Sequence, residues 1–454
     1  MKRIYRRTIA SLLILALFLT GYGIYLVKYA VDGGDWVTFA VNSHAYTNGI
    51  LTTGSVYDAE GEMLSGVEDG GRVFSDDYTI RRATLHVVGD AQGNIGTGML
   101  TSHATDLIGY DFVNGAYSRT GQGNDLYLTL DSDACAAALN ALGGRKGAVV
   151  VYNYKTGAVV CMVSAPGFDP ADPPEIKEGD ARYDGAYINR AISSTFTPGS
   201  IFKIVTLAAA IENIDDLFSR QFTCEGSTEI AGETINCSGT HGTIDIYGAL
   251  ADSCNCAFSE LALELGGATL QRYAARMGLT DSFSIDGIPV AAGAFEEAPV
   301  GSANLGWSGI GQYRDLVNPL AFARLMGAVA NGGRAVEPYL IGKITTPAGL
   351  PLRVTATSAK RRLLSSSTAE VIRGMMRNDV ENAYGDWRFP DLTVCAKSGT
   401  AELESGETPH AWFAGFLDDE ENPYAFCVFV ENGGWGVSVA GAVANTVLQE
   451  LVYG

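Results

Sequence analysis

"TFTPGSIFKIVTLAAAIEN", residues 195–213, is the stretch from which the rest of the chain becomes readable. Ile201, Phe202, Ile204, Val205, Leu207, Ala208 and Ile211 leave no polar stripe, so the segment reads as a helix running through a core. Lys203 nevertheless sits inside it, one helical turn after Ser200. Positions i and i+3 share a face, so the hydroxyl and the amine are placed to meet. Desolvation lowers a lysine pKa toward a neutral amine that accepts protons, and a serine beside such a base is an activated nucleophile. Pro198-Gly199 interrupts the chain just before Ser200 and sets the hydroxyl at the helix N-terminus, where the dipole favours developing negative charge. Taken alone, the spacing also fits a serine helix cap and a snorkelling lysine.

Two further motifs weigh against that plainer reading. "DSCNCAF" (252–258) supplies Ser253 and Asn255, and "CAKSGTAE" (395–402) supplies Lys397, Ser398, Gly399 and Thr400. Lys397 falls on an expected strand that runs into Gly399, where a substrate backbone has room to approach. A second Ser-x-Asn, "SAN" at 302–304, lies in the glycine-rich run "VGSANLGWSGIGQY". Ser253 lies in what looks like the start of a helix, and the choice between the two rests on the family resemblance of its neighbourhood.

The chain has 454 residues, 47% of them hydrophobic and 18% charged, which describes a large folded protein and excludes a disordered one. Its formal charge is −20, although Lys2, Arg3, Arg6, Arg7 and Lys28 all precede the first acid, Asp32. So acidic a body repels nucleic acid and anionic membranes. Between Arg7 and Lys28, "TIASLLILALFLTGYGIYLV" carries no charge and suits a bilayer span better than a cleaved signal peptide. The basic residues before it predict a cytoplasmic N-terminus with the remainder outside. Eight cysteines are too few for a disulfide scaffold. "FTCEGSTEIAGETINC" reads as a hairpin that brings Cys224 and Cys237 together, either bridged or as two free buried thiols. With no CxxC and no HExxH in the chain, no metal site is expected.

Along the chain, a Gly-, Asp- and Thr-rich stretch to about residue 124 suggests a small, mostly β, membrane-proximal domain. "GAVVVYNYKTGAVVCMVSAP" (147–166) is a hairpin signal around "NYKTG". "LTVCAKSGTAE", "HAWFAGFL" and "YAFCVFVEN" read as three more strands, and "SVAGAVANTVLQELV" as a closing helix. Further helices are expected near 246–265 and 317–331. The pattern predicts a mixed sheet packed between helical layers.

Ser-x-x-Lys, Ser-x-Asn and Lys-Ser-Gly, in that order, are the signature of penicillin-binding proteins and serine β-lactamases. From about residue 125 onward the chain resembles the transpeptidase domain of class B penicillin-binding proteins, of the short penicillin-binding protein A type found in Gram-positive bacteria. "LYLTLD", "NRAISSTFTPGSIFKIVTLAAAIE", "HGTIDIYGALADSCNCAFSELALELG", "GIGQYRDLVNPLAFARLMGAVANGG" and "KSGTAELESGETPHAWFAGF" resemble its segments in order. Upstream, "GSVYDAEGEML" (54–64) is similar to a family stretch beginning Arg-Gly, but Thr53 stands where arginine is usual and Ala59-Glu60 where Arg-Asn is.

The resemblance implies an α+β fold of the serine β-lactamase kind, with a five-stranded antiparallel sheet. It implies an anchor over 1–30, a pedestal over 31–124 and a transpeptidase domain over 125–454. It implies a peptidoglycan D,D-transpeptidase acting on stem peptides and acylated by β-lactams, without cofactor. Ser200 would be the nucleophile, Lys203 its base, and Ser253 a relay to Lys397. Asn255 would hydrogen-bond the bound peptide, with Ser398 and Thr400 on the substrate carboxylate and the Ser200 and Thr400 N–H groups as oxyanion hole. A polytopic glycosyltransferase is the partner implied. A D,D-carboxypeptidase differs only in using water as acceptor. A β-lactamase of the same fold lacks support, because no Glu-x-x-x-Asn segment lies between the second and third motifs, and a non-catalytic scaffold need not retain all three.

Overall fold

The uncharged run Thr8–Val27 lies within a single helix, Lys2–Val37, whose apolar side chains are almost all uncovered. At about 1.5 Å per residue it is about 54 Å long, well beyond the roughly 30 Å of a bilayer core. It is long and apolar enough to cross a membrane. Its last turns do not end in solvent: Gly33 is buried against Tyr110, and Gly34 approaches Thr105 beside the short helix Ala104–Ile108. The computed structural model describes residues 1–110, 115, 122–358, 360–402 and 406–454. Residues 403–405 of the third-motif segment, and 111–114 and 116–121 of the pedestal stretch, lie outside the described residues.

A six-stranded sheet follows, in the spatial order Pro351–Val354, Ile341–Thr345, Asp125–Leu128, Ser55–Tyr57, Met63–Glu68, Gly71–Phe74. Only the Ser55–Tyr57/Asp125–Leu128 pair is parallel. The sheet therefore crosses residue 124, where the sequence texture changes, and is completed by strands from far downstream. Short helices between Tyr78 and Ile108 accompany it, so the membrane-proximal region is less purely β than its composition suggests. Asp58, from the family-like stretch, ties the two halves. Its Oδ1 accepts the N–H groups of Glu60, Gly61 and Glu62, and its Oδ2 accepts Ser132 Oγ–H at 2.6 Å from the helix Ser132–Leu142.

The second sheet has five strands in the order Val394–Ala401, His410–Leu417, Tyr424–Val430, Gly147–Asn153, Val159–Ala165. All four pairings are antiparallel, as the family resemblance implied, and the mixed sheet read from the pattern alone is not formed. Its hairpin turn forms as read, with Asn153 Oδ1 accepting the N–H groups of Lys155 and Thr156. Helices Ser132–Leu142 and Gly436–Tyr453 pack on one face and Pro319–Ala330 on the other. Coverage on both faces explains why "AWFAGF" and "AFCVFV" are continuous apolar runs rather than alternating ones. The strand Val394–Ala401 lies at the sheet edge, and the Ser200 turn packs against it.

Candidate active site

Ser200 lies in a 3₁₀ turn, Gly199–Phe202, that leads into the helix Lys203–Asn213. Gly199 has φ +54°, and a Cβ there would lie 2.7 Å from Thr400 O and 2.9 Å from Ala401 Cα. Glycine alone lets this turn come so close to the edge strand. Two further bonds set the turn: Gly199 N–H donates to Gly311 O at 2.9 Å, and Trp412 Nε1–H donates to Thr197 O at 2.9 Å.

The helix read near 246–265 is two helices, Ile246–Ala251 and Asn255–Leu265, and Ser253 occupies the break with φ +53°. That left-handed conformation costs a non-glycine residue about 1–2 kcal/mol. It points both the hydroxyl and the carbonyl of Ser253 at Lys203. Lys203 Nζ lies 3.0 Å from Ser200 Oγ, 3.0 Å from Ser253 Oγ, 2.5 Å from Ser253 O and 2.8 Å from Asn255 Oδ1. Across the cleft, Lys397 Nζ lies 3.1 Å from the same Ser253 Oγ and 3.0 Å from Ser398 O. All three motifs thus meet at one hydroxyl.

Both lysines are 0% exposed. Burial, and after it the charge of Lys397, holds the Lys203 amine well below its ordinary pKa. A neutral amine has two N–H donors and one lone pair. The Ser253 carbonyl and the Asn255 amide oxygen can take the donors, which leaves the lone pair for a hydroxyl proton. Sequence alone suggested a base at Lys203, and the geometry supplies the acceptors that such a base requires.

Ser398 and Thr400 are half-buried while Lys397, Gly399 and Ala401 face inward. Ser398 N–H donates to Tyr384 Oη, outside the sheet, at 3.2 Å. By the two-residue period of a strand, Thr400 N–H points to the same open edge, beside Ser200. The rival "SAN" is elsewhere: Ser302 caps the helix Ala303–Gly309 by accepting Leu305 N–H.

Two residues escaped the sequence reading. Tyr384, in a π-helical segment Val380–Gly385, places its hydroxyl 3.1 Å from Lys397 Nζ as well as on Ser398 N–H. Asp379 is buried nearby, and burial raises its carboxyl to about 8 against the opposing pull of Lys397. Nothing in "NDVENAYGDW" marks either one, because their role depends on a long-range contact with the edge strand.

Among the described residues, one set of potential metal ligands also assembles, although the chain contains neither CxxC nor HExxH. Cys224, Cys237, His241 and Cys254 bring one ligand atom each within 4.8 Å of one another. The hairpin between Cys224 and Cys237 forms as read, and both cysteines are free thiols.

Residues 147–449 match the penicillin binding protein transpeptidase domain. The chain belongs to this penicillin-binding family. Over 373 residues it is 30% identical to the peptidoglycan D,D-transpeptidase PbpA of Mycobacterium tuberculosis, covering 76% of this chain and 75% of that protein. It is likewise 30% identical over 358 residues to PbpA of Mycolicibacterium smegmatis, covering 73% and 71%. The solved structure of penicillin-binding protein A from M. tuberculosis as a penicillin G acyl-enzyme complex shares the fold with a TM-score of 0.76. There the identity is 26%, with 88% of this chain and 99% of that one covered. Within the penicillin-binding family the fold is thus common property, and the site above is what this chain builds on it.

Proposed function

We propose that the protein is a membrane-anchored peptidoglycan D,D-transpeptidase with Ser200 as nucleophile. By sequence the anchor spans 1–30, the pedestal 31–124 and the transpeptidase domain 125–454, with the strands Asp125–Leu128, Ile341–Thr345 and Pro351–Val354 completing the pedestal's sheet. One observation carries the reading: a buried, pKa-lowered lysine stands within 3.0 Å of both Ser200 Oγ and Ser253 Oγ. The peptide substrate lies antiparallel along the open edge of Val394–Ala401, as an added strand. Ser398 and Thr400 hydroxyls hold its terminal carboxylate beside the Lys397 cation, Gly399 leaves room for its backbone, and Asn255 hydrogen-bonds the peptide.

Lys203 takes the Ser200 proton as Oγ attacks the carbonyl between the two terminal D-alanines. The oxyanion is held by the N–H groups of Ser200 and Thr400, each such donor being worth about 3–4 kcal/mol. As the C–N bond breaks, the proton passes through Ser253 to the departing D-alanine amine. An amine from a neighbouring stem then attacks the ester, its proton returns to Ser200, and the cross-link forms. β-Lactams acylate Ser200 as mimics of the donor. The anchor sets the enzyme on the outer face of a Gram-positive cell membrane, beside a polytopic glycosyltransferase.

The test is the intact mass of the full chain in detergent after exposure to benzylpenicillin, with Ser200→Ala in parallel. A stable adduct on the wild type only is expected. Rapid loss of the adduct with hydrolysed drug would make it a β-lactamase, and no adduct on folded protein would make it a scaffold.

Tyr384→Phe keeps the ring and removes the hydroxyl shared by Lys397 and Ser398. Loss of a hydrogen bond to a buried charge costs about 1–3 kcal/mol, so acylation should slow by roughly 5- to 150-fold. The melting temperature should change little, and unchanged acylation kinetics would remove Tyr384 from the site.

A further inference from the structure

The excursion Phe222–Ile244 rests on few side chains: Ile230 and Ile235 are buried against the helix Ala303–Gly309, while the rest of the strands Ser227–Ile230 and Glu233–Asn236 is largely exposed. Pairing of Phe222–Cys224 with Gly242–Ile244 closes the excursion on itself and delivers Cys224, Cys237 and His241 to one point. The fourth member, Cys254, comes from the second motif, at the N-terminus of the helix Asn255–Leu265.

The spacing of these atoms is informative. Cys237 Sγ lies 4.0 Å from Cys254 Sγ and 3.6 Å from His241 Nδ1. Metal–sulfur bonds of about 2.3 Å in a tetrahedron give edges of about 3.8 Å, and a metal–nitrogen bond shortens its edge slightly. A disulfide would need about 2.05 Å. Asn255 N–H donates to Cys237 Sγ at 3.1 Å, so this sulfur is already oriented from the backbone of the second motif.

We propose that Cys224, Cys237, His241 and Cys254 bind one zinc ion, which fixes the second motif against Lys203. On binding, the three thiols release their protons to solvent, and neutral His241 donates the Nδ1 lone pair. Four protein ligands leave no open position, so the site is structural. Its effect reaches the chemistry by a short route. Cys254 lies between Ser253 and Asn255, and Asn255 is held from the excursion twice, by its N–H on Cys237 Sγ and by its Nδ2–H donating to Asn236 O at 2.8 Å. The four ligands are positioning residues for the two side chains that touch Lys203.

The experiment uses the full chain in detergent, purified without chelating resin. Elemental analysis should find one zinc per chain, lost in Cys237→Ser and His241→Ala and kept in Cys427→Ala. Replacing zinc with cobalt(II) should give the visible bands of a tetrahedral thiolate site, a readout that does not need the variants to fold. Stripping zinc from the wild type should slow acylation by benzylpenicillin about 10- to 100-fold, reversibly, as loss of positioning around a site typically does. Absence of zinc with Cys224, Cys237 and Cys254 all reacting as free thiols, or disulfides Cys224–Cys256 and Cys237–Cys254 in the isolated protein, would overturn the site. Bound zinc whose removal leaves acylation unchanged would overturn its positioning role. The metal content does not rest on the proposed reaction: a zinc-loaded protein that never acylates would count against the transpeptidase and leave the zinc site standing.

Discussion

Lys203→Arg abolishes acylation of Ser200 while the chain still folds: this is the largest functional effect the site predicts. A guanidinium does not deprotonate in a protein, so the lone pair that receives the Ser200 proton disappears. General-base contributions run to about 10²–10⁴-fold, and the acylation rate should fall by at least that much. The wild-type pH profile gives the complementary measurement. Burial and the Lys397 charge lower the Lys203 pKa, and the active form is the neutral amine. Acylation should therefore decline as pH falls through that lowered value and level off above it. In Lys203→Arg the residual rate should show no such limb. Should the arginine fail to fit the fully enclosed pocket, Lys203→Met removes the base without added bulk, and acylation by either folded variant at the wild-type rate would refute Lys203 as base.

Trp412→Ala should give the largest loss of stability. Trp412 is completely buried on the strand His410–Leu417 and packs 4.5 Å from the Phe429 ring centroid and 6.4 Å from that of Phe196. Truncating a buried tryptophan to alanine costs about 3–5 kcal/mol. It also frees Thr197 O, the acceptor that holds the turn before Ser200. Thermal melting should register the stability loss and acylation kinetics the loosened turn. Trp412→Phe separates them: it retains most of the packing, loses only the N–H, and should cost about 1 kcal/mol. If Trp412→Ala melted like the wild type, the ring would not be what couples the sheet to the turn.

What was legible in the amino-acid order was local. Ser200 and Lys203 lie one turn apart, so helical geometry alone brings them together. The hairpin around Asn153 follows from β-branched runs flanking a turn, and the uncharged length of Thr8–Val27 fits the thickness of a bilayer. Even the third motif could be placed on a strand from its neighbours. None of these needs a contact between distant parts of the chain.

Tertiary structure decided the rest. The left-handed Ser253 splits a helix that periodicity reads as continuous, because only packing against Lys203 justifies its backbone cost. Tyr384 reaches Lys397 from a segment with no motif. The pedestal sheet recruits Ile341–Val354 from more than 200 residues downstream of Asp125, since strand pairing is indifferent to separation along the chain. The four-residue cluster stayed hidden for the same reason: its members come from a strand, two loop positions and a helix N-terminus. Residue order therefore marked the candidate side chains, Ser200 and Lys203 first among them, through spacing within a turn or a hairpin. Folding alone determined which of them touch, because hydrogen bonds act over distances in space that sequence separation does not record.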